Sequence, residues 1–282
     1  MNIRFEDVSY EYRSVLSDVR AALSHVTFEI APGELIAVAG PAGSGKTTLV
    51  QHLNGLLSPT SGRVLFDGNP LGPKEAAAAR RRVGVVFQFP ENQLFEETVF
   101  DDVAFGPRNL GLPEAEIENR VWTSLKRVGF SGREIGKSSP FSLSGGEQRR
   151  AAIAGILAME PEALVLDEPT VGLDPRSAGL IETVIRQYHR FGRSVIFVSH
   201  DMDFTARLAD RVLVLESGRI LFDGPARTLF DDDSLVHRAG LRIPHTVAFM
   251  KNMRERGLPV RTDCFTVEEA KRELSRAFHA KS

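Results

Sequence analysis

Leu35-Ile-Ala-Val-Ala39-Gly40-Pro-Ala-Gly-Ser-Gly45-Lys46-Thr47-Thr48 decides the fold of this chain. Five consecutive apolar residues read as a buried strand, and after Gly45 the spacing of Leu49, Leu53 and Leu56 predicts a helix. The glycine-rich turn between them satisfies the phosphate-loop pattern in the strand-to-helix context that the pattern requires. Its glycines let backbone N–H groups turn inward around phosphates at a helix N-terminus. Lys46 is placed to reach the β and γ groups, and Thr47 to put its hydroxyl on Mg²⁺. The nucleotide-binding candidates are therefore Gly40, Pro41, Ala42, Gly43, Ser44, Gly45, Lys46, Thr47 and Thr48. Average residue frequencies produce such a pattern by accident in a chain of this length on the order of 1% of the time.

Upstream, Ile3 to Tyr12 and Ala22 to Ile30 alternate as strands, with a turn at Pro32-Gly33. Downstream, Pro59 to Gly62 breaks the helix before another strand at Arg63 to Phe66. Ala76 to Arg82 reads as a helix whose three arginines make a solvated face. Pro113 to Leu157 is mostly helical by spacing, with Val121, Leu125 and Val128 on one face. Strand character returns at Ala163 to Leu166, Ser194 to Val198 and Arg211 to Leu215, with a helix between the first two. The expectation is an α/β chain whose parallel core sheet is split in sequence by a helical insertion over about residues 95–158. From Thr228 the chain turns charged and helical, ending in a helix over Val267 to Phe278. A division into residues 1–227 and a small C-terminal extension, 228–282, follows.

At 282 residues the chain can bury a substantial core. The single cysteine, Cys264, cannot close an intrachain bridge and reads as an idle thiol in a reducing compartment. Lys and Arg total 35 against 37 Asp and Glu, so a net charge of −2 argues against nonspecific nucleic-acid binding. The apolar runs fall far short of the roughly 20 residues that span a bilayer, and MNIRFEDV has no signal-peptide core. A membrane role therefore needs a partner.

Ala163-Leu-Val-Leu-Asp167-Glu168 ends a buried strand in two carboxylates, one suited to Mg²⁺ and one to polarising water. Asp167 is assigned to the metal and Glu168 to the base. Leu143-Ser144-Gly145-Gly146-Glu147-Gln148-Arg149-Arg150 opens a helix with Ser144 as its N-cap, a second place for an anion. Gln88 and His200 each follow a strand end and gain meaning only beside these segments.

Gly40 to Thr47, Gln88, Leu143 to Glu147, Leu164 to Glu168, Gly172-Leu173-Asp174 and His200 together resemble the ordered motifs of ABC-transporter ATPases, over roughly Met1 to Gly224. The resemblance implies a RecA-like parallel core sheet, an N-terminal antiparallel β subdomain and an inserted helical subdomain. It implies an ATP sandwich in which the phosphate loop of one subunit faces the signature turn of another. Gln88 then joins Mg²⁺ and the attacking water, and His200 contacts the γ-phosphate. Ser144, Gly145 and Gly146 bind phosphate across the dimer, and Asp174 links the two sites. An aromatic stacks on adenine, either Tyr12 or Tyr10, with Tyr12 favoured.

Phe87-Gln-Phe-Pro-Glu-Asn-Gln-Leu-Phe-Glu-Glu-Thr-Val99, with Asp102 to Pro107, Gln51 to Leu56 and Arg149 to Gly155, is similar to the ATPases of energy-coupling factor transporters. That group implies a homodimer or a pair of related ATPases at the cytoplasmic face of the membrane. It also implies a transmembrane coupling subunit and a separate membrane subunit that captures a vitamin or metal micronutrient. Phe89, Leu94, Phe95 and Phe100 are candidates for lining the groove that receives a membrane subunit's helix. Glu147 stands where the family usually has glutamine, and it is expected to point away from the phosphates. The competing readings are the ATPase of another ABC transporter class and a soluble ABC ATPase acting on nucleic acid or ribosomes.

Overall fold

The computed structural model describes residues 1–12, 20–72 and 74–279. β1 (Ile3–Tyr12) pairs antiparallel with β2 (Arg20–Ile30) on one side and, on the other, with a later strand of the same sheet. β3 (Leu35–Ala39) runs into α1 (Lys46–Leu53) through the glycine-rich turn. β4 (Ser61–Phe66) and the short β5 (Asn69–Pro70) then complete a four-stranded antiparallel sheet in the order β2-β1-β4-β5.

α2 (Ala76–Arg82) leads to β6 (Val83–Val86). Arg80 and Arg81 are exposed as expected, whereas Arg82 is half-buried and bridges Glu162 and Asp67, each at 2.7 Å. The cause is topological, because Arg82 ends α2 beside the start of a neighbouring strand, where its carbonyl also accepts from the Glu162 N–H.

The helical insertion comprises α3 (Val99–Asn109), α4 (Glu114–Arg127), α5 (Glu134–Lys137) and α6 (Gly145–Ala158). Thr98 caps α3 by accepting from the Asp101 N–H at 3.1 Å. Val121, Leu125 and Val128 are buried, as their spacing predicts. β7 (Ala163–Asp167), α7 (Pro175–Arg190), β8 (Ser194–Val198), α8 (Met202–Leu208), β9 (Arg211–Glu216) and β10 (Arg219–Pro225) return the chain to the core.

The second sheet has the order β10-β9-β3-β8-β7-β6, parallel throughout except for the antiparallel edge pair β9–β10. Both of its faces are covered, which is why its central strands are uniformly apolar. Leu35, Ala37 and Ala39 pack with the inserted helices, while Ile36 and Val38 pack with α1 and the antiparallel sheet. Leu164, Leu166, Val195 and Phe197 take the first side; Val165, Ile196 and Val198 take the second. A fully buried side chain such as Phe197 contributes about 2–3 kcal/mol.

α9 (Ala226–Asp231), α10 (Asp233–Arg238), α11 (His245–Glu255) and α12 (Val267–His279) finish the chain. Leu229, Phe230, Val236 and Val247 share the main core, whereas Met250, Val260, Cys264, Ala270 and Ala277 form a small core of their own. Asp203 of α8 anchors the start of α11, accepting from the His245 N–H at 2.8 Å and pairing with its ring. Burial pushes the Cys264 thiol up, consistent with an idle side chain.

Candidate functional site

The parallel sheet delivers β3, β7 and β8 to one edge with their C-terminal ends side by side, and the turns that follow them carry the chemistry. After β3, the chain can pass only as glycine at two points. Gly40 (φ 140°) lies so close to the Leu215 carbonyl that a methyl group there would collide with it, and Gly45 (φ 105°) stands in the same relation to Ala22. Ser44 is buried, and its Oγ has no hydrogen-bond partner among the described residues. The Lys46 ammonium is drawn across the loop, donating to the carbonyls of Gly40 (2.8 Å) and Pro41 (2.9 Å). Burial lowers its pKa, while Glu168 and Asp167 act in the opposite sense.

Thr47 begins α1 and its hydroxyl donates to Asp167 Oδ2 across 3.3 Å. Burial raises the Asp167 carboxyl, with that hydrogen bond and Lys46 opposing. Glu168, the next residue, adopts a left-handed conformation (φ 52°) and is held there by its N–H donating to the Val198 carbonyl at 3.0 Å. Its carboxyl is pushed up to about 7, chiefly by burial; the His200 N–H lowers it and Asp167 raises it. His200 Nε2 stands 3.3 Å from Glu168 Oε1 without the alignment of a hydrogen bond, so that oxygen has no partner among the described residues. Burial, then Lys46, lowers the His200 pKa.

The hard-oxygen donors fit a magnesium ion carried in with a polyphosphate. Thr47 and Asp167 supply two such oxygens at one point, and among the described residues no group of three or more His, Cys, Asp or Glu can hold a metal alone. Mg²⁺ characteristically takes one or two protein carboxylates and completes its shell with phosphate and water.

Tyr12, Ala21, Ala22, Gly43, Gly45, Lys46, Thr47 and Thr48 line a cleft of about 190 Å³ beside the loop. Tyr12 is 43% exposed there, with its hydroxyl 3.2 Å from Thr48 Oγ1. Tyr10 instead turns its ring onto the buried His52, centroids 5.0 Å apart. Gln88 is exposed on the turn after β6, and no hydrogen bond joins it to Thr47 or Asp167.

Ser144, Gly146 and Asp174 line a different cleft, of about 630 Å³, with no residue in common with the first. Gly145 occupies the first turn of α6 there, immediately after the Ser144 cap. Glu147 closes a capping box, accepting from both the Ser144 N–H (3.0 Å) and its hydroxyl (2.7 Å), bonds that hold the carboxyl below the usual range. Glu147 itself also lines this cleft, half-exposed; the expectation is that it points away or sits solvated, and the pairing with Ser144 is what occupies its carboxylate. Asp174 caps α7, accepting from the Arg176 and Ser177 N–H groups and the Ser177 hydroxyl.

A third groove, of about 500 Å³, is walled by Leu94, Phe95, Phe105, Leu110, Ile156 and Met159. Phe95 and Phe105 meet edge to face at 4.8 Å and both are exposed. Of the four aromatic and aliphatic candidates, Leu94 and Phe95 line it. Phe89 is exposed outside its lining, and Phe100 packs inward on Trp122 at 5.5 Å. Phe105 was not foreseen; Asp102 of α3, accepting from the Phe95 and Glu96 N–H groups, draws the two segments together.

The ABC transporter family model matches residues 23–171. The energy-coupling factor transporter ATP-binding protein EcfA2 of Clostridium perfringens is 43% identical over 97% of this chain and 97% of its own length. That of Symbiobacterium thermophilum is 48% identical over 96% of this chain and 94% of its own. Among solved structures, cbiO1 from Clostridium perfringens, part of the ABC transporter complex cbiONQ, superposes with a TM-score of 0.73. It has 38% sequence identity and covers 88% of this chain and 98% of its own. The ATP-binding cassette MJ0796, solved as a dimer bound to ADP and Pi, has 28% identity and a TM-score of 0.72, covering 79% and 98%.

Proposed function

The chain belongs to the ABC transporter family, among the ATP-binding proteins of energy-coupling factor transporters, and from that premise we propose that it is the ATP-hydrolysing subunit of a micronutrient importer. One observation carries the chemical reading. Lys46, Thr47, Asp167, Glu168 and His200 converge from three strand ends on the mouth of one glycine-rich loop. In this reading Gly40 to Thr48 cradle the phosphates, Tyr12 stacks on adenine, and Thr47, Asp167 and Gln88 hold Mg²⁺, which supplies charge neutralisation at the β and γ oxygens. Glu168, with a carboxyl poised near neutrality by burial, accepts the proton of the attacking water, and His200 reaches the γ-phosphate.

Two clefts that share no residue support a dimer in which Ser144, Gly145, Gly146 and Asp174 of one chain complete the nucleotide site of another. The ATPase domain runs over residues 1–227, and the extension, 228–282, is available for contacts between the two ATPases. Membrane partners are required, since among the described residues no helix is long and apolar enough to cross a bilayer. The groove of Phe95 and Phe105 suits an apolar helix of a transmembrane coupling subunit on the cytoplasmic face. A second membrane subunit selects the vitamin or metal. The near-neutral charge and the full-length likeness to transporter subunits speak against the nucleic-acid alternative.

The test is to tag the full chain in its native cell, extract in mild detergent, and measure Mg²⁺-dependent phosphate release together with what copurifies. Release of phosphate from ATP and recovery of a small multi-span membrane protein are the expected results. Failure to recover such a protein overturns the transporter reading even if ATP is hydrolysed.

A further inference from the structure

Arg149 is a buried cation that the proposed chemistry leaves unused. It lies on α6, 5% exposed, and reaches two other segments of the chain. Its Nε is 3.4 Å from Glu91 Oε2, on the single 3₁₀ turn Pro90–Gln93 that follows Gln88. One of its terminal N–H groups donates to the Val171 carbonyl, immediately before the Gly172-Leu173-Asp174 turn. Glu91 Oε2 is itself buried and has no hydrogen-bond partner among the described residues, so the Arg149 charge is what compensates it. The Glu91 side chain is 25% exposed and partly screened by solvent, so the buried Arg149, 6% exposed, is the partner that depends more on the contact.

The placement of this pair matters because the same two elements wall the apolar groove. Gln93, Leu94 and Phe95 come from the 3₁₀ turn and its exit, and Ala152, Gly155, Ile156 and Met159 come from α6. A guanidinium holds its donors in a rigid fork, so it can grip Glu91 with one edge and Val171 with another; a lysine ammonium, a single point on a flexible stem, does not reproduce that geometry.

We propose that Arg149 is a positioning residue that clamps the Gln88 turn, the helix opened by Ser144 and the Asp174 turn into one unit. Arg149 does not touch the nucleotide; it acts through Glu91 and Val171. This inference rests on the roles proposed above for Gln88, Ser144 and Asp174.

The experiment compares the full-length protein with Arg149→Lys, Glu91→Gln and the double variant, reading kcat and KM for Mg-ATP, nucleotide affinity and Tm. Each single change is expected to lower kcat by about 10-fold or more while KM stays within about 2-fold, the mark of a contact that serves the reaction rather than binding. The double variant is expected to be no worse than the poorer single one, because both break the same clamp. Glu91→Gln preserves shape, so a poorly folding Arg149→Lys protein does not decide the matter. If the unaltered protein binds no nucleotide or releases no phosphate, the functional reading falls. If it hydrolyses ATP and Glu91→Gln keeps kcat within about 2-fold, or the single losses multiply in the double variant, the clamp is overturned while that reading stands.

Discussion

The His200 imidazole and the Glu168 carboxyl meet at the mouth of the phosphate loop, Nε2 to Oε1 at 3.3 Å, and the His200 N–H donates to the other carboxyl oxygen at 3.4 Å. The pairing fixes the carboxyl from two directions at the end of β7. It also leaves one carboxyl oxygen without an aligned hydrogen bond among the described residues.

Glu168→Gln preserves this shape and removes the proton acceptor. Phosphate release is expected to fall on the order of 10²- to 10⁴-fold, the usual contribution of a general base. ATP binding is expected to persist, trapping a nucleotide-bound dimer visible by light scattering. Turnover near that of the unaltered protein sinks the assignment of Glu168 as the base.

The Tyr10 and Tyr12 rings meet edge to face at 5.0 Å, but they differ in what else they touch. Tyr12→Ala should raise the KM for ATP by about 2- to 13-fold, the range given by a stacking contact of about 0.5–1.5 kcal/mol. Tyr10→Ala should leave KM alone and lower Tm, because Tyr10 packs on His52. The reverse pattern in steady-state kinetics and thermal melts assigns the adenine contact to Tyr10.

Glu147→Gln tests the departure in the signature turn. A glutamine carbonyl can still accept from Ser144, so turnover should change by less than about 3-fold. Loss of negative charge at the N-terminus of α6 should cost about 0.5 kcal/mol in a denaturation experiment. A large gain in hydrolysis shows instead that the carboxylate opposes the incoming phosphates.

His52 is fully buried on α1, its Nδ1–H donating to the Thr48 carbonyl at 2.7 Å, and burial lowers its pKa below 6.5. The unfolded chain therefore binds a proton near pH 6.5 that the folded chain refuses. Stability from the neutral ring is complete above the unfolded value and is lost as pH falls through the window below it. His52→Leu should flatten the pH dependence of Tm below about pH 6.5. An unchanged slope removes His52 as its source.

Much of the architecture was legible locally. The run Leu35 to Ala39, the glycine turn and the Leu49, Leu53 spacing predict β3, the loop and α1, and the structure has all three. Strands at Ala163 and Ser194 were likewise readable, because a parallel strand covered on both faces must be continuously apolar. β10 and β5 were not read, since a half-exposed edge strand and a two-residue pairing leave little pattern. Arg82 was misread as solvated because its partners, Asp67 and Glu162, lie on other elements.

By itself, the sequence determined what the chain can bind and in which order its chemical groups appear. Backbone N–H groups between Gly40 and Gly45, Pro41 excepted, with one ammonium, one hydroxyl and two strand-end carboxylates, are the groups on which the proposed nucleotide and magnesium site rests. Only the tertiary structure decided which groups act together. Hydrogen bonds and ion pairs fall off within a few ångströms, so Glu168 with His200, Glu147 with Ser144, and Arg149 with Glu91 and Val171 became partners only once packing fixed the turns that carry them.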